Sequence, residues 1–180
     1  MAQQTTPSPT PSYVGSSAKT AKARFLDAYE RELATTHKVL RALPADKSDF
    51  RPHERSNTAF ALGWTFVVEG KLLLKGLRRE EVLGGGFGTP PTSWDAVLDE
   101  FDKTRDEVLA HLRDTSNPEL EGSVTFFTGP KQMGQYALDD FAWFMLHDHI
   151  HHRGQLSVYV RMAGGKVPSI YGPSADEPWN

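Results

Sequence analysis

The sequence predicts an all-α protein: a four-helix bundle with a flexible N-terminal tail and an extended C-terminal tail. Three observations predict it. Four segments place apolar residues at three-and-four spacing, the period of a helix with one buried face. Prolines and clustered glycines fall between these segments. A chain of 180 residues suits one domain, and helices of such length bury their stripes most readily against one another.

Met1 to Ser17 is rich in Gln, Thr, Pro and Ser and lacks the basic-then-apolar build of a secretion signal. It is expected to be a flexible tail, with local docking through Tyr13 and Val14, ahead of a bundle domain spanning 18–180. The first helix runs from about Ala18 to Leu43, with Phe25, Tyr29, Leu33, Thr36, Leu40 and Leu43 on one face, and Pro44 ends it. His37 lies beside that face. Pro44 to Arg55 is a polar connection in which His53 meets solvent. Ser56 or Asn57 can cap the second helix, which runs to about Arg79. Its stretch from Ala59 to Val68 is apolar nearly all round, the mark of a central helix covered by neighbours or by a second subunit. Thr65 and Glu69 share one of its faces.

Gly84 to Pro91 is a loop by composition. It lacks the Gly-Lys-Ser/Thr ending and the preceding strand of a phosphate loop, so a phosphate role is set aside. Thr92 or Ser93 caps the third helix, Trp94 to Arg113. Val124 to Phe127 carries strand signals and Gly129-Pro130 a turn. The fourth helix opens near Gln135 and ends at about Met162, where Gly164-Gly165 accommodates a left-handed cap. In the extended tail that follows, Val167, Ile170 and Tyr171 are placed to pack on the body or on a partner.

Composition narrows the function. There are no cysteines, which excludes disulfides, zinc-thiolate sites and cysteine nucleophiles. The net charge is −3 and no basic patch interleaves with aromatics, so nucleic acid is not an expected partner. No apolar run reaches the roughly 18 residues of a membrane span. The expectation is a cytoplasmic protein.

The chemistry concentrates in Leu146 to Leu156, which holds His147, His149, His151 and His152, four of the seven histidines. Taking the apolar residues Ala137, Leu138, Phe141, Phe144, Met145, Leu156, Tyr159 and Val160 as the buried stripe, Asp148 falls near its centre at about 100° per residue. His152 lies on the same side one turn later, with Gln155 beside them. His147 and His149 project to opposite flanks and His151 sits at the edge. A charged group facing a core must be paired, hydrogen-bonded or metal-bound. Asp148 and His152, four apart, can therefore be two ligands of a divalent metal between helices. Equally, they can be members of a polar network pinning the bundle.

His151-His152-Arg153-Gly154-Gln155-Leu156, then Tyr159-Val160-Arg161, Gly164 and Val167-Pro168-Ser169-Ile170-Tyr171-Gly172, resembles the DinB-like family of bacterial proteins. The likeness covers about residues 20 to 175. It implies a four-helix bundle, commonly homodimeric. It also implies a divalent metal such as nickel or zinc held by three histidines, one from helix 2 and two from helix 4. Relatives include thiol-dependent S-transferases and isomerases, and the group is often described as metal-dependent hydrolases. On this pattern His152 keeps its ligand position and Asp148 occupies the other helix 4 position. The helix 2 histidine falls at Thr65, or at Trp64 with a one-residue slip. Glu69, one turn from Thr65 on the same face, can supply a carboxylate instead, or can pair with Arg153 or a lysine. A site of Asp148, His152 and Glu69 is carboxylate-rich and leans towards manganese, iron or magnesium more than a three-histidine set does.

In the enzyme this implies, His151 and Gln155 orient the ligands or move protons. The substrate is a small molecule, the metal nickel, zinc, manganese or iron, and any thiol comes from a low-molecular-weight cofactor. The alternative is a metal-free, non-catalytic bundle that dimerises or binds a small ligand. In it His147 and His149 are flank residues, while Arg153 and Gln155 hold the reversal into the tail.

Overall fold

A computed structural model describes residues 19–179. The expected tail Met1 to Ser17 lies outside them. Helix α1 (Ala21–Ala42) starts where the Thr20 side chain accepts a hydrogen bond from the Ala23 N–H, and Leu43 with Pro44 ends it. Its buried face includes Phe25, Tyr29, Leu33, Thr36 and Leu40, as the periodicity predicts.

Helix α2 (Ala59–Leu77) is capped by Thr58, whose hydroxyl accepts from Ala61 N–H at 3.1 Å. Ser56 and Asn57 are excluded from that role because the connection is pinned just ahead of the helix. Ala59 N–H donates to Phe50 O and Phe60 N–H to Ser48 O. The helix is central, and its glycines explain how. A Cβ at Gly63 would stand 2.5 Å from the Trp94 ring, at Gly70 2.7 Å from Thr104, and at Gly76 2.9 Å from Phe141. Each glycine costs an interior helix position about 1 kcal/mol. Here the missing side chains let α3 (Trp94–Arg113) and α4 (Leu138–Met162) pack directly against the α2 backbone.

The chain between α3 and α4 departs from the all-α expectation. Strands β1 (Ser123–Gly129) and β2 (Gln132–Ala137) form an antiparallel hairpin, with Val124 opposite Tyr136 and Phe126 opposite Gly134. Lys131 takes φ 60° in the turn. The β1 half follows its alternation, with Val124 and Phe126 buried. The β2 half has no such pattern, and its pairing with β1 delays the start of α4 from Gln135 to Leu138.

Helix α1 packs on α3 and α4, and α2 packs on the same two, so all four surround one core. The inward stripe of α4 is rotated by about 45°, half a residue's turn, from the expected one. It runs through Leu138, Phe141, Met145, His149, Arg153, Leu156 and Val160, whereas Phe144 is exposed. This corrects two placements. His149 is a core residue, not a flank residue, and Asp148 sits at the stripe's edge with its side chain 38% exposed.

Arg153 is buried, with its guanidinium donating to Glu32 O at 3.0 Å and to the Tyr171 hydroxyl at 2.7 Å, and 2.7 Å from Glu32 Oε2. Tyr171 in turn donates to Glu32 Oε2 at 2.8 Å. This network fastens the segment after α4 to the body, while Val167 and Ile170 pack on the core. Gln155, expected to help, bonds His151 instead. The segment also folds back, since Val167 N–H donates to Asp176 and Ser174 Oγ to Val167 O. No helix among the described residues is long and apolar enough to cross a membrane.

Candidate metal centre

The rotation of α4 decides what its polar residues do. Positions 148, 152, 155 and 159 form the edge that borders α2. Positions 149 and 153 point inward, towards α1. Glu69, on α2, is buried and lies at the junction of the two sets.

On the open side, His152 Nδ1 lies 2.5 Å from Glu69 Oε1 and 3.9 Å from Asp148 Oδ1. One donor atom from each of Glu69, Asp148 and His152 falls within 4.8 Å of the others, the one such group of three among the described residues. On the closed side, His149 Nε2 lies 3.1 Å from Thr36 Oγ1, which is 3.0 Å from Glu32 O. His149 Nδ1 stands 3.1 Å from Glu69 Oε2, off the line of a hydrogen bond. Glu69 Oε2 is thus a buried carboxylate oxygen with no aligned donor. Phe66 and Phe101 flank the His149 ring, at centroid distances of 4.7 and 6.2 Å. A cavity of about 10 Å³ lies against the group, bounded by Tyr29, Glu69, Gly70, Leu73, Met145 and His149.

The charges follow from this geometry. Burial resists ionisation of Glu69, but the two imidazoles outweigh it and hold the carboxyl below its ordinary value. Glu69 in return, chiefly through its hydrogen bond, raises His152 above the ordinary imidazole value against the opposing effect of burial. Asp148 is raised by partial burial and by the negative charge of Glu69. Burial, then the Glu69 charge, raises the Tyr29 phenol. Two carboxylates side by side, one kept from ionising easily by the other, gain most from a shared cation.

Of the residues singled out in the sequence, the structure brings Glu69, Asp148 and His152 together. Glu69 pairs with the two histidines rather than with Arg153, whose partner is Glu32. Thr65 donates to Ala61 O of its own helix at 3.1 Å, and half-buried Trp64 carries Lys71 over its ring at 5.0 Å. Neither joins the group. His151 and Gln155 are exposed and bonded to each other at 2.8 Å. His37, half-buried, sits 3.4 Å from Asp102, and exposed His53 accepts from Arg55 N–H. Sequence reading missed His149 and Thr36 as members of the site. The available signal was their spacing: Thr36 lies on the buried face of α1, and His149 is four residues from both Met145 and Arg153.

These residues fit a divalent cation. They offer one buried carboxylate, one half-exposed carboxylate and one imidazole, with a carboxylate oxygen left without an aligned donor. The donor set is oxygen-rich, suiting manganese, iron or magnesium as well as zinc.

Comparison with known proteins places the fold. The family model described as the DinB superfamily matches residues 28–156, a span that holds Glu69, Asp148 and His152. An uncharacterised protein of Bacillus subtilis, YrdA, is 23% identical over 154 residues, covering 85% of this chain and 89% of its own. Two crystal structures share the fold. A DinB-like protein from Bacillus cereus aligns with a TM-score of 0.67 at 23% identity, over 82% of this chain and 95% of that one. A DinB-like protein of Bacillus subtilis, YjoA, aligns with a TM-score of 0.65 at 16% identity, over 79% and 94%.

Proposed function

The chain belongs to the DinB superfamily, and from that premise we propose that Glu69, Asp148 and His152 form a divalent-metal centre for a reaction on a small molecule, of hydrolase or thiol S-transferase type. The observation that carries the reading is the convergence of these three donors, from two helices, within 4.8 Å of one another at the edge of the core. A cation held there supplies Lewis acidity and lowers the pKa of a bound water or small-molecule thiol.

The chain's own residues set the conditions. Glu69 brings a buried charge that is already ionised. His152 must present an unprotonated Nδ1 to become a ligand, and Glu69 raises its proton affinity, so metal uptake competes with protons and strengthens as pH rises. His149, itself bonded to Thr36, backs Glu69 from behind. His151, steadied by Gln155, is the proton carrier on the solvent side of α4. With no cysteine in the chain, any reacting thiol is a low-molecular-weight cofactor. Association into a homodimer belongs to the same reading, and a monomer mass by light scattering would remove that part.

One observation favours a second reading. The Glu69–His152 contact at 2.5 Å gives His152 Nδ1 and one oxygen of Glu69 a partner without a metal, as a non-catalytic bundle that dimerises or binds a small ligand would have it. Elemental mass spectrometry on untagged protein separates the two readings, beside Asp148→Ala and His152→Ala variants. The metal reading expects close to one equivalent of manganese, iron, zinc or nickel, lost in both variants. A folded wild type that takes up none of them after incubation leaves the second.

A further inference from the structure

We propose that the groove between α2 and α4 binds an uncharged small molecule, its apolar body lodged at the Tyr159 end and its polar end directed at Glu69, Asp148 and His152. The inference rests on the metal-centre reading and supplies the ligand class for it.

Two matched edges form this groove. On α2, positions 61, 65 and 69 recur every four residues and so lie along one side of the helix, and Asn57 precedes the Thr58 cap at its start. On α4, positions 148, 152, 155 and 159, spaced by three or four, also share one side. Polar ties join the edges at both ends. At one end His152 meets Glu69 at 2.5 Å, and at the other the Tyr159 hydroxyl donates to Asn57 O at 3.1 Å. Between the ties α2 presents Ala61, which is exposed, and Thr65, whose hydroxyl is turned back onto its own helix. Small, self-satisfied side chains keep that stretch shallow and leave it free of charge.

At the Tyr159 end of these edges lies a cavity of about 380 Å³, lined by Pro52, Ser56, Asn57, Gln155, Val158 and Tyr159. This is within the roughly 300–1,000 Å³ of small-molecule sites. No lining side chain is charged. The walls offer a proline ring, a valine and a tyrosine face for an apolar body, with hydroxyl and amide groups at the rim. A charged ligand would leave its hydration shell here with no counter-charge to replace it. Ionic groups stand at the far end, where the donors Glu69, Asp148 and His152 converge. From His152 to Val158 is about 9 Å along the helix, the reach of a short chain or one ring with a substituent.

Hexanamide and hexanoate, alike in shape and different in charge, test this with full-length, metal-free protein carrying labelled valine methyl groups. Hexanamide is expected to shift the Val158 methyl signals saturably, and hexanoate is not. Val158→Trp, at an exposed position, is expected to weaken hexanamide binding at least about tenfold without lowering the melting temperature. Ala61→Trp should do the same from the other edge. With Mn²⁺ added, the protons next to the amide should broaden before the terminal methyl. No Val158 shift, an equal response to hexanoate, or broadening of the methyl end first overturns the proposal. If Mn²⁺ fails to bind while hexanamide still moves Val158, the metal reading falls and the groove stands.

Discussion

The two sides of α4 carry polar clusters made from neighbouring residues, yet they are built to opposite standards. Towards α1, Arg153 is buried and its partners Glu32 and Tyr171 close a complete network. Towards α2, Asp148 and His152 are half-exposed, and Glu69 between the sides keeps an oxygen without an aligned donor. A completed network fixes structure, because a buried charge that loses its partners is expensive. An incomplete one at a groove edge can accept a cation or ligand, because its donors are still available. Completeness, not residue type, separates the structural cluster from the candidate site.

The comparison can be broken most forcefully at Arg153. Arg153→Ala should destabilise by about 3–5 kcal/mol, since it strands the Glu32 carboxylate and frees Tyr171. Melting temperature should fall by roughly 10 °C. A melt near wild type would show that the network is not structural.

His149→Phe comes next. It keeps the aromatic packing beside Phe66 and Phe101 but removes the support behind Glu69. A loss of about 1–3 kcal/mol is expected in denaturant unfolding, with Mn²⁺ affinity lowered by roughly 10–100-fold. Unchanged Mn²⁺ affinity would detach His149 from the site.

Asp148→Asn should move stability by less than about 0.5 kcal/mol, being half-exposed, while Mn²⁺ affinity measured by titration calorimetry falls. A stability loss as large as that of His149→Phe would make Asp148 part of the scaffold and erase the contrast.

The smallest effect concerns pH in metal-free protein. His152 is raised in the folded state, so its stabilising contribution is full below its ordinary value of 6.5 and fades as pH climbs through the folded value. Glu69 is lowered, so its contribution is full above 4.5 and fades as pH falls through the folded value. The melting difference between wild type and His152→Gln should therefore peak near pH 5–6 and shrink on either side. A difference that grows steadily towards alkaline pH would contradict the Glu69–His152 pairing.

Much of this architecture is legible in the residues. The ends of α3 coincide with their expectation because Ser93 caps one end and the apolar spacing is unbroken from Trp94 to Leu112. Glu69, Asp148 and His152 are recognisable from spacing on two helices and from the family resemblance. The phase of α4 is not. Phe144 counts as core by hydrophobicity but is exposed, while His149 and Arg153 count as polar but are buried. Their burial depends on Thr36, Glu69, Glu32 and Tyr171, partners on other elements that no local pattern reveals. The β2 strand is illegible for a similar reason, since Gln132 to Ala137 becomes a strand by pairing with β1.

The glycines of α2 bear on the order in which such a centre comes into being. Gly63, Gly70 and Gly76 together weaken the intrinsic helicity of this segment by about 2–3 kcal/mol relative to alanine. A peptide covering α2 alone should be largely unstructured in water, and its helix should appear only as α3 and α4 dock onto it. Glu69 then acquires its orientation at the same moment as the core closes. On the metal-centre reading, a cation meets the finished protein rather than templating it, so adding metal to a refolding reaction should leave the refolding rate unchanged and raise only the final stability.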